Sequence, residues 1–378
     1  MRILYDHQIF QGQCVGGISN SFINLIKNFP SSVEIKIAIK DSDNVHLKES
    51  GLVKLHPFSS EQNFISSRYF YGKGYLFRFL SNLYPSIDSR KVNKQYSIDL
   101  LKRGQFDVFH PTFFRDYFIP YLNGRPFVLT VHDMIPEKFD INDALQRVNK
   151  KILTEKASHI IAVSKKTKED LIDMLHVPES KITVIYHGIS DNLPIKEVFV
   201  DAEQYILFVG QRGGYKNFIP MVEALVPVLK RHQALKILCT GSDFAKSECI
   251  FFKRYGIENQ MIHVRPSDAE LRYLYTKALC FVFPSLYEGF GIPILEAWAG
   301  GCPVLLNRKS CFPEIAQDAA VYFTLDENYS DLAETMETFL SMTKNDKQLL
   351  LERQNKRLIE FSWKKSAEQL LEVYKKII

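Results

Sequence analysis

The chain has 378 residues, of which 46% are hydrophobic and 24% charged, with 48 Lys and Arg against 43 Asp and Glu and a formal net charge of +5. That length predicts two domains, each able to bury a full core, and the composition excludes disordered and collagenous classes. The mildly basic balance suits anionic small molecules or an anionic membrane surface. It falls well short of a nucleic-acid signature, so no nucleic-acid partner is expected.

The six cysteines form no C-x-x-C pair and mostly sit in apolar runs, as reduced thiols packed as small hydrophobes would. No apolar run approaches the roughly 20 residues that span a bilayer. The opening MRILYDHQIF reads as a strand rather than a charged-then-apolar leader. The expected location is the cytoplasm, with peripheral contact at the inner face of the cytoplasmic membrane as a further expectation.

In chain order, short apolar runs alternate with helical patterns, the order of parallel sheets with crossover helices. Strands are predicted at Ile3–Tyr5, Val33–Ile39, Phe106–Phe109, Phe127–Val131, His159–Val163 and Ile182–Tyr186. Helices are predicted at Ile18–Asn28, Asp143–Ala157 and Lys165–Leu175, the last capped by Ser164. His187–Gln204 lacks periodicity and carries Gly188 and Pro194, which makes it the linker and puts the domain boundary near residue 195. A second series follows at Tyr205–Val209, Leu235–Cys239, Met261–Val264, Leu279–Phe283, Pro303–Leu306 and Ala320–Phe323, and amphipathic helices run from Tyr329 onward. The fold class is α/β, as two tandem units.

Four places in this layout carry chemistry. The Gly16-Gly17 turn after the first strand lets backbone amides reach a phosphate or sugar, or is simply a tight turn. Thr130-Val131-His132-Asp133 ends an apolar strand with a polar pair. In Gly210-Gln211-Arg212-Gly213-Gly214-Tyr215-Lys216-Asn217 a planar guanidinium and a mobile ammonium follow a strand, a combination that neutralises a diphosphate without a metal. In Glu288-Gly289-Phe290-Gly291, continuing to Glu296, two carboxylates bracket a glycine turn that opens a helix. The helix N-terminus and the turn amides suit a phosphate, and the acids suit sugar hydroxyls. An acid pair is also what a glycosidase needs, although the glycine turn between these two favours a nucleotide.

Two further features carry less. Asp41-Ser42-Asp43 has the D-x-D spacing of some metal sites but reads as a loop after a strand. Residues 68–103 hold eight basic residues against Asp88 and Asp99, interleaved with aromatics. That pattern fits either lipid headgroups and a lipid-linked acceptor, or an irregular helical insertion whose aromatics turn inward.

The Glu288-x7-Glu296 element and the G-x-R-x-x-x-K-N element at 210–217 resemble those of retaining GT-B glycosyltransferases, family 4 (group 1), and look most like bacterial mannosyltransferase members. The likeness spans nearly the whole chain. It implies two Rossmann-like domains, 1–194 for the acceptor and 195–360 for a nucleotide-sugar donor, with a cleft between them. Residues 361–378 would be a helix crossing back to the first domain.

It further implies that His132, Arg212, Lys216 and Glu288 serve catalysis. Gly16, Gly17, Arg265, Pro266, Gly289, Phe290, Gly291 and Glu296 would bind the donor. The implied partners are a nucleotide diphosphate sugar and a glycan or lipid-linked acceptor, with no cofactor and no metal. A sugar-nucleotide epimerase on the same fold and a non-catalytic binding module are the competing expectations. An epimerase would isomerise the donor with no acceptor present, and a module could lose the basic diphosphate contacts.

Overall fold

The computed structural model describes residues 1–57, 59–65, 68–139, 143–190 and 194–378. It divides into two compact units, one of Met1–Val163, Lys168–Ile185 and Trp363–Ile378, the other of Ser164–Thr167 and Tyr186–Ser362. Residues 191–193 of the expected linker lie outside the described residues. On either side of them the chain is tied into the second unit. Tyr186 and His187 pack their rings against Phe290 at 5.9 and 5.0 Å, and Lys196 donates its N–H to the Ala269 carbonyl at 3.0 Å.

The first unit carries strands β1 (Arg2–Tyr5), β2 (Glu34–Ile37), β3 (Val108–His110), β4 (Val128–Val131), β5 (His159–Ala162) and β6 (Ile182–Val184). The order β2-β1-β3 continues through a parallel bridge between Phe109 and Phe127 into β4-β5-β6. The helix Trp363–Ile377 belongs to this unit and packs Trp363, Ala367, Leu370 and Tyr374 into its core. That spacing lines one helical face. Tyr374 reaches the Tyr5 hydroxyl at 2.8 Å and His110 Nδ1 at 2.6 Å, and His110 Nε2 meets Thr130 Oγ1 at 2.9 Å. Complete burial holds the His110 imidazole neutral, with its pKa lowered to about 3.

The second unit is one parallel sheet of β7 (Gln204–Phe208), β8 (Leu235–Cys239), β9 (Met261–His263), β10 (Cys280–Phe283), β11 (Val304–Asn307) and β12 (Val321–Phe323), in the order β12-β11-β10-β7-β8-β9. β10 and β11 are buried along their whole lengths, as a sheet covered on both faces requires. Helix Phe218–Arg231 presents Met221, Val222, Leu225 and Leu229 to the same core. This is the doubly wound order, with its topological switch between β7 and β10, the place where such sheets bind ligands.

All twelve expected strands lie where the apolar runs predict them. The Asp41-Ser42-Asp43 stretch is a structural loop. Asp41 Oδ2 accepts from the Ser89 hydroxyl at 2.9 Å, and the Asp41 N–H and C=O both bond Asn93. Residues 68–103 form helices Lys73–Leu83 and Ser89–Arg103 around a single turn at Pro85–Ile87. Most of the aromatics in the first half of that segment face solvent, against the inward reading. No described helix is long and apolar enough to cross a membrane.

Candidate active site

The two loops at the switch point carry the two motifs. After β7 the chain turns through Gly210, at φ +117°, a left-handed conformation that glycine alone adopts freely. A Cβ on Gly241, in the loop after β8, would stand 2.7 Å from the Gly210 carbonyl oxygen, so these loops pack backbone to backbone. A single turn at Gly214–Lys216 then leads to Asn217 in the left-handed region, where the helix Phe218–Arg231 begins. Leu286 N–H donates to the Tyr215 carbonyl at 2.8 Å and joins this loop to the one after β10.

Across that junction Lys216 Nζ donates to Glu288 Oε1 at 2.6 Å, with side-chain exposures of 17% and 12%. The ammonium also lies 5.5 Å from the Phe283 ring centre. A charge pair on an apolar floor, largely withdrawn from water, interacts far more strongly than a surface pair.

Residues with no motif hold Glu288 in place. Ser310, at φ +54°, accepts the Glu288 N–H at 3.2 Å and donates its hydroxyl to the Glu288 carbonyl at 2.7 Å. The Cys311 thiol points at the carbonyls of Glu288 and Phe290, 3.3 and 3.2 Å away. Both follow β11, beside β10 in the sheet, and only that adjacency marks them.

Gly291 sits at φ +90° and opens the helix Ile292–Ala299. There a Cβ would come within 3.1 to 3.5 Å of Ile294, Phe312 and Phe283. Phe290 is core, 3% exposed and edge-on to His187, with Phe361 5.8 Å away. The resemblance implies a donor contact at this residue. Its ring packs in the core.

Glu296 lies one turn into the helix, partly buried, with the Tyr275 hydroxyl 3.5 Å from Oε2. Burial, with a smaller push from Asp268, raises its carboxyl to about 7. A folded-state pKa above the unfolded value means stability is lost as pH rises between the two. Glu296→Gln is therefore expected to raise stability at pH 8.5 by up to about 3 kcal/mol, read as a higher melting temperature, and to leave it unchanged at pH 4. Equal melting of both proteins at pH 8.5 would show that the carboxylate is not strained.

Arg212 is placed differently from its neighbour. Nε and one terminal nitrogen bond Glu248 at 2.8 and 3.2 Å, and the carbonyls of Asp243 and Thr240 take further donors at 2.7 and 3.2 Å. The side chain is 5% exposed and stacks 4.8 Å over Phe244. Asp243 also binds Arg265 at 2.7 Å and His263 at 3.2 Å, so Arg212 and Arg265 share one cluster beyond β8 and β9. Pro266 follows Arg265 in that turn and is partly exposed. The signal for Glu248 in the sequence is its position as third residue of the helix Lys246–Tyr255, where its side chain also accepts the Ala245 N–H.

Gly16, Gly17 and His132 lie in the first unit. Gly16 is extended rather than left-handed, at φ 178°, and precedes the helix Gly17–Lys27. Gln13 Oε1 accepts the Ser19 N–H at 3.3 Å, so one amide of this helix start is already used. His132 follows β4 and stands edge-on to Phe22, centres 5.6 Å apart. Asp133 makes the turn, accepting the Ile135 N–H at 3.0 Å, while its carbonyl takes the buried Lys150 ammonium at the same distance.

Two family models match end to end, Glycosyltransferase Family 4 over residues 15–193 and Glycosyl transferases group 1 over residues 190–358. Among curated relatives, O-antigen chain mannosyltransferase RfbU of Salmonella typhimurium is 31% identical over 219 residues, covering 56% of this chain and 60% of that protein. O-antigen chain mannosyltransferase B of Escherichia coli is 26% identical over 282 residues, 69% of this chain and 72% of that one. The chain spans about three fifths of the length of the first curated relatives it matches. Among solved structures, Anabaena HepE in complex with UDP and glucose superposes with a TM-score of 0.73 at 16% identity, covering 99% of each chain. With a family model matched in each half, the chain belongs to the glycosyltransferases of family 4 and group 1, and its doubly wound sheet is that of the GT-B fold it shares with HepE.

Proposed function

We propose that this protein is a retaining glycosyltransferase that moves a hexose from a nucleotide diphosphate sugar to a hydroxyl of a glycan or lipid-linked acceptor in bacterial surface polysaccharide synthesis. The observation that carries the proposal is the Lys216–Glu288 pair at the β7–β10 switch point, with the helix bearing Glu296 directly behind it.

In this reading Lys216 neutralises the additional negative charge that the diphosphate gains as its bond to the sugar breaks. The diphosphate itself takes the proton of the attacking hydroxyl on the same face of the sugar, and no side chain acts as nucleophile. Charge neutralisation rests on the chain's own cations rather than on a metal ion.

Glu288 contacts the donor sugar and Glu296 accepts the ribose hydroxyls. The amides of Gly289 and Gly291 face the phosphates, and the Arg265-Pro266 turn reads the base. His132 and the Gly16-Gly17 turn are assigned to the sugar side. GDP-mannose is the first donor to test, because the matched O-antigen relatives are named mannosyltransferases. A UDP-sugar is next, because UDP occupies HepE.

A thermal-shift panel of nucleotide sugars tests the reading. A cognate donor at 100 times its Kd is expected to stabilise by about 2.7 kcal/mol. No shift from any GDP- or UDP-sugar would defeat it.

A further inference from the structure

The helix Lys73–Leu83 is held to the first unit along one narrow row, Lys73, Phe77 and Ser81, spaced four residues apart. Lys73 Nζ donates to the carbonyls of Gln62 and Arg68 at 2.7 and 3.2 Å, and the Phe77 ring meets Phe64 at 5.3 Å. With that row spent on anchoring, the remaining faces turn outward. They carry large apolar side chains where a solvated helix would carry polar ones. Tyr71 is 96% exposed, Tyr75 77% and Phe79 62%, with Tyr69, Leu83 and Tyr84 exposed around them. A contiguous exposed patch of this kind marks an interaction surface.

Its chemistry selects the partner. No Asp or Glu occurs between Glu61, which lies beside Gly74, and Asp88, whereas the exposed Arg68 and Arg78 fall inside that interval. Asp88 at its far end is buried, with its carboxylate on the Arg90 N–H and Nε at 2.9 and 3.3 Å. The Arg78 guanidinium lies over the Tyr75 ring at 5.0 Å, so a cation rides on the aromatic surface itself. Tyrosine combines an apolar ring with a polar tip, the combination favoured at the headgroup level of a bilayer.

We propose that residues 69–84 dock this protein on an anionic lipid bilayer, with Tyr71, Tyr75, Phe79 and Leu83 entering the interface and Arg78 meeting lipid phosphates. The proposal is independent of the donor and acceptor assigned above.

Co-sedimentation of the full chain with vesicles of phosphatidylcholine alone, or with 30% phosphatidylglycerol by design, tests it. The wild type is expected to partition at least about tenfold more strongly onto the anionic vesicles, less so as salt rises. The variant Tyr71→Ser/Tyr75→Ser/Phe79→Ser is expected to lose that binding at an unchanged melting temperature. Arg78→Glu should weaken it chiefly at low salt.

A second reading uses Phe79→Trp, whose emission should shift to the blue on anionic vesicles only. Both native tryptophans, Trp298 and Trp363, are buried and give a steady background. Equal sedimentation of wild type and triple variant overturns the proposal. So does a wild-type dimer that the triple variant dissolves, which would assign the face to a second copy of the chain.

Discussion

Lys216→Ala is expected to lower turnover about ten- to a thousand-fold, roughly 1.4 to 4 kcal/mol of transition-state stabilisation, while the protein stays folded. The ammonium lies at the junction of the two switch-point loops and is paired only through Glu288 and ring contacts in the described structure. A diphosphate arriving there would offer it a stronger anion than one carboxylate. Because charge accumulates on the diphosphate as the bond to the sugar breaks, kcat and kcat/KM should fall together, with donor KM little changed. Lys216→Arg keeps the charge and should recover part of the rate. Undiminished turnover in Lys216→Ala at saturating donor would remove Lys216 from the mechanism.

Arg212→Ala has a different expected outcome, although the sequence places both cations in one motif. Its guanidinium bonds Glu248 and two carbonyls while almost fully buried. Removing it leaves the Glu248 carboxylate poorly solvated with one partner lost, a change that costs about 3 to 5 kcal/mol in comparable pairs. In a unit of this size that is a fall of roughly 10 °C in melting temperature. Arg212→Met/Glu248→Leu removes both charges together and should regain much of the loss. Arg212 then acts as a positioning residue, locking the loop after β7 to the helix Lys246–Tyr255 so that Lys216 meets the donor. A tenfold or larger loss of turnover in Arg212→Ala at an unchanged melting temperature would instead mean that the guanidinium leaves Glu248 and grips the diphosphate directly.

The legibility of the chain differs by residue for physical reasons. Strands such as β7 and β10 are visible because a sheet covered on both faces demands continuous apolar runs, and the Ser164 cap is visible because capping is local. Its hydroxyl does accept the Thr167 N–H, at 3.0 Å. Glu288 and Lys216 could be named from their motifs, since a diphosphate calls for a cation after a strand and sugar hydroxyls call for an acceptor such as a carboxylate.

Arg212 could be named but not oriented. Its partner is 36 residues away on another strand-to-helix connection, and nothing local distinguishes a guanidinium facing a ligand from one facing Glu248. Ser310 and Cys311 were invisible for the same reason, because they brace Glu288 across neighbouring strands.

By itself the sequence determined the parallel α/β class, the two-unit layout and the position of the strands, and it named candidate side chains for the proposed donor site, all of which follow from periodicity, turn chemistry and motif within short windows. Only the tertiary structure decided which carboxylate each cation of the motif takes, Glu248 for Arg212 and Glu288 for Lys216, that Phe290 is core, and which aromatics of residues 68–84 face water. Those choices depend on what other segments pack against each face, and in a parallel sheet those segments come from strands far apart in the chain.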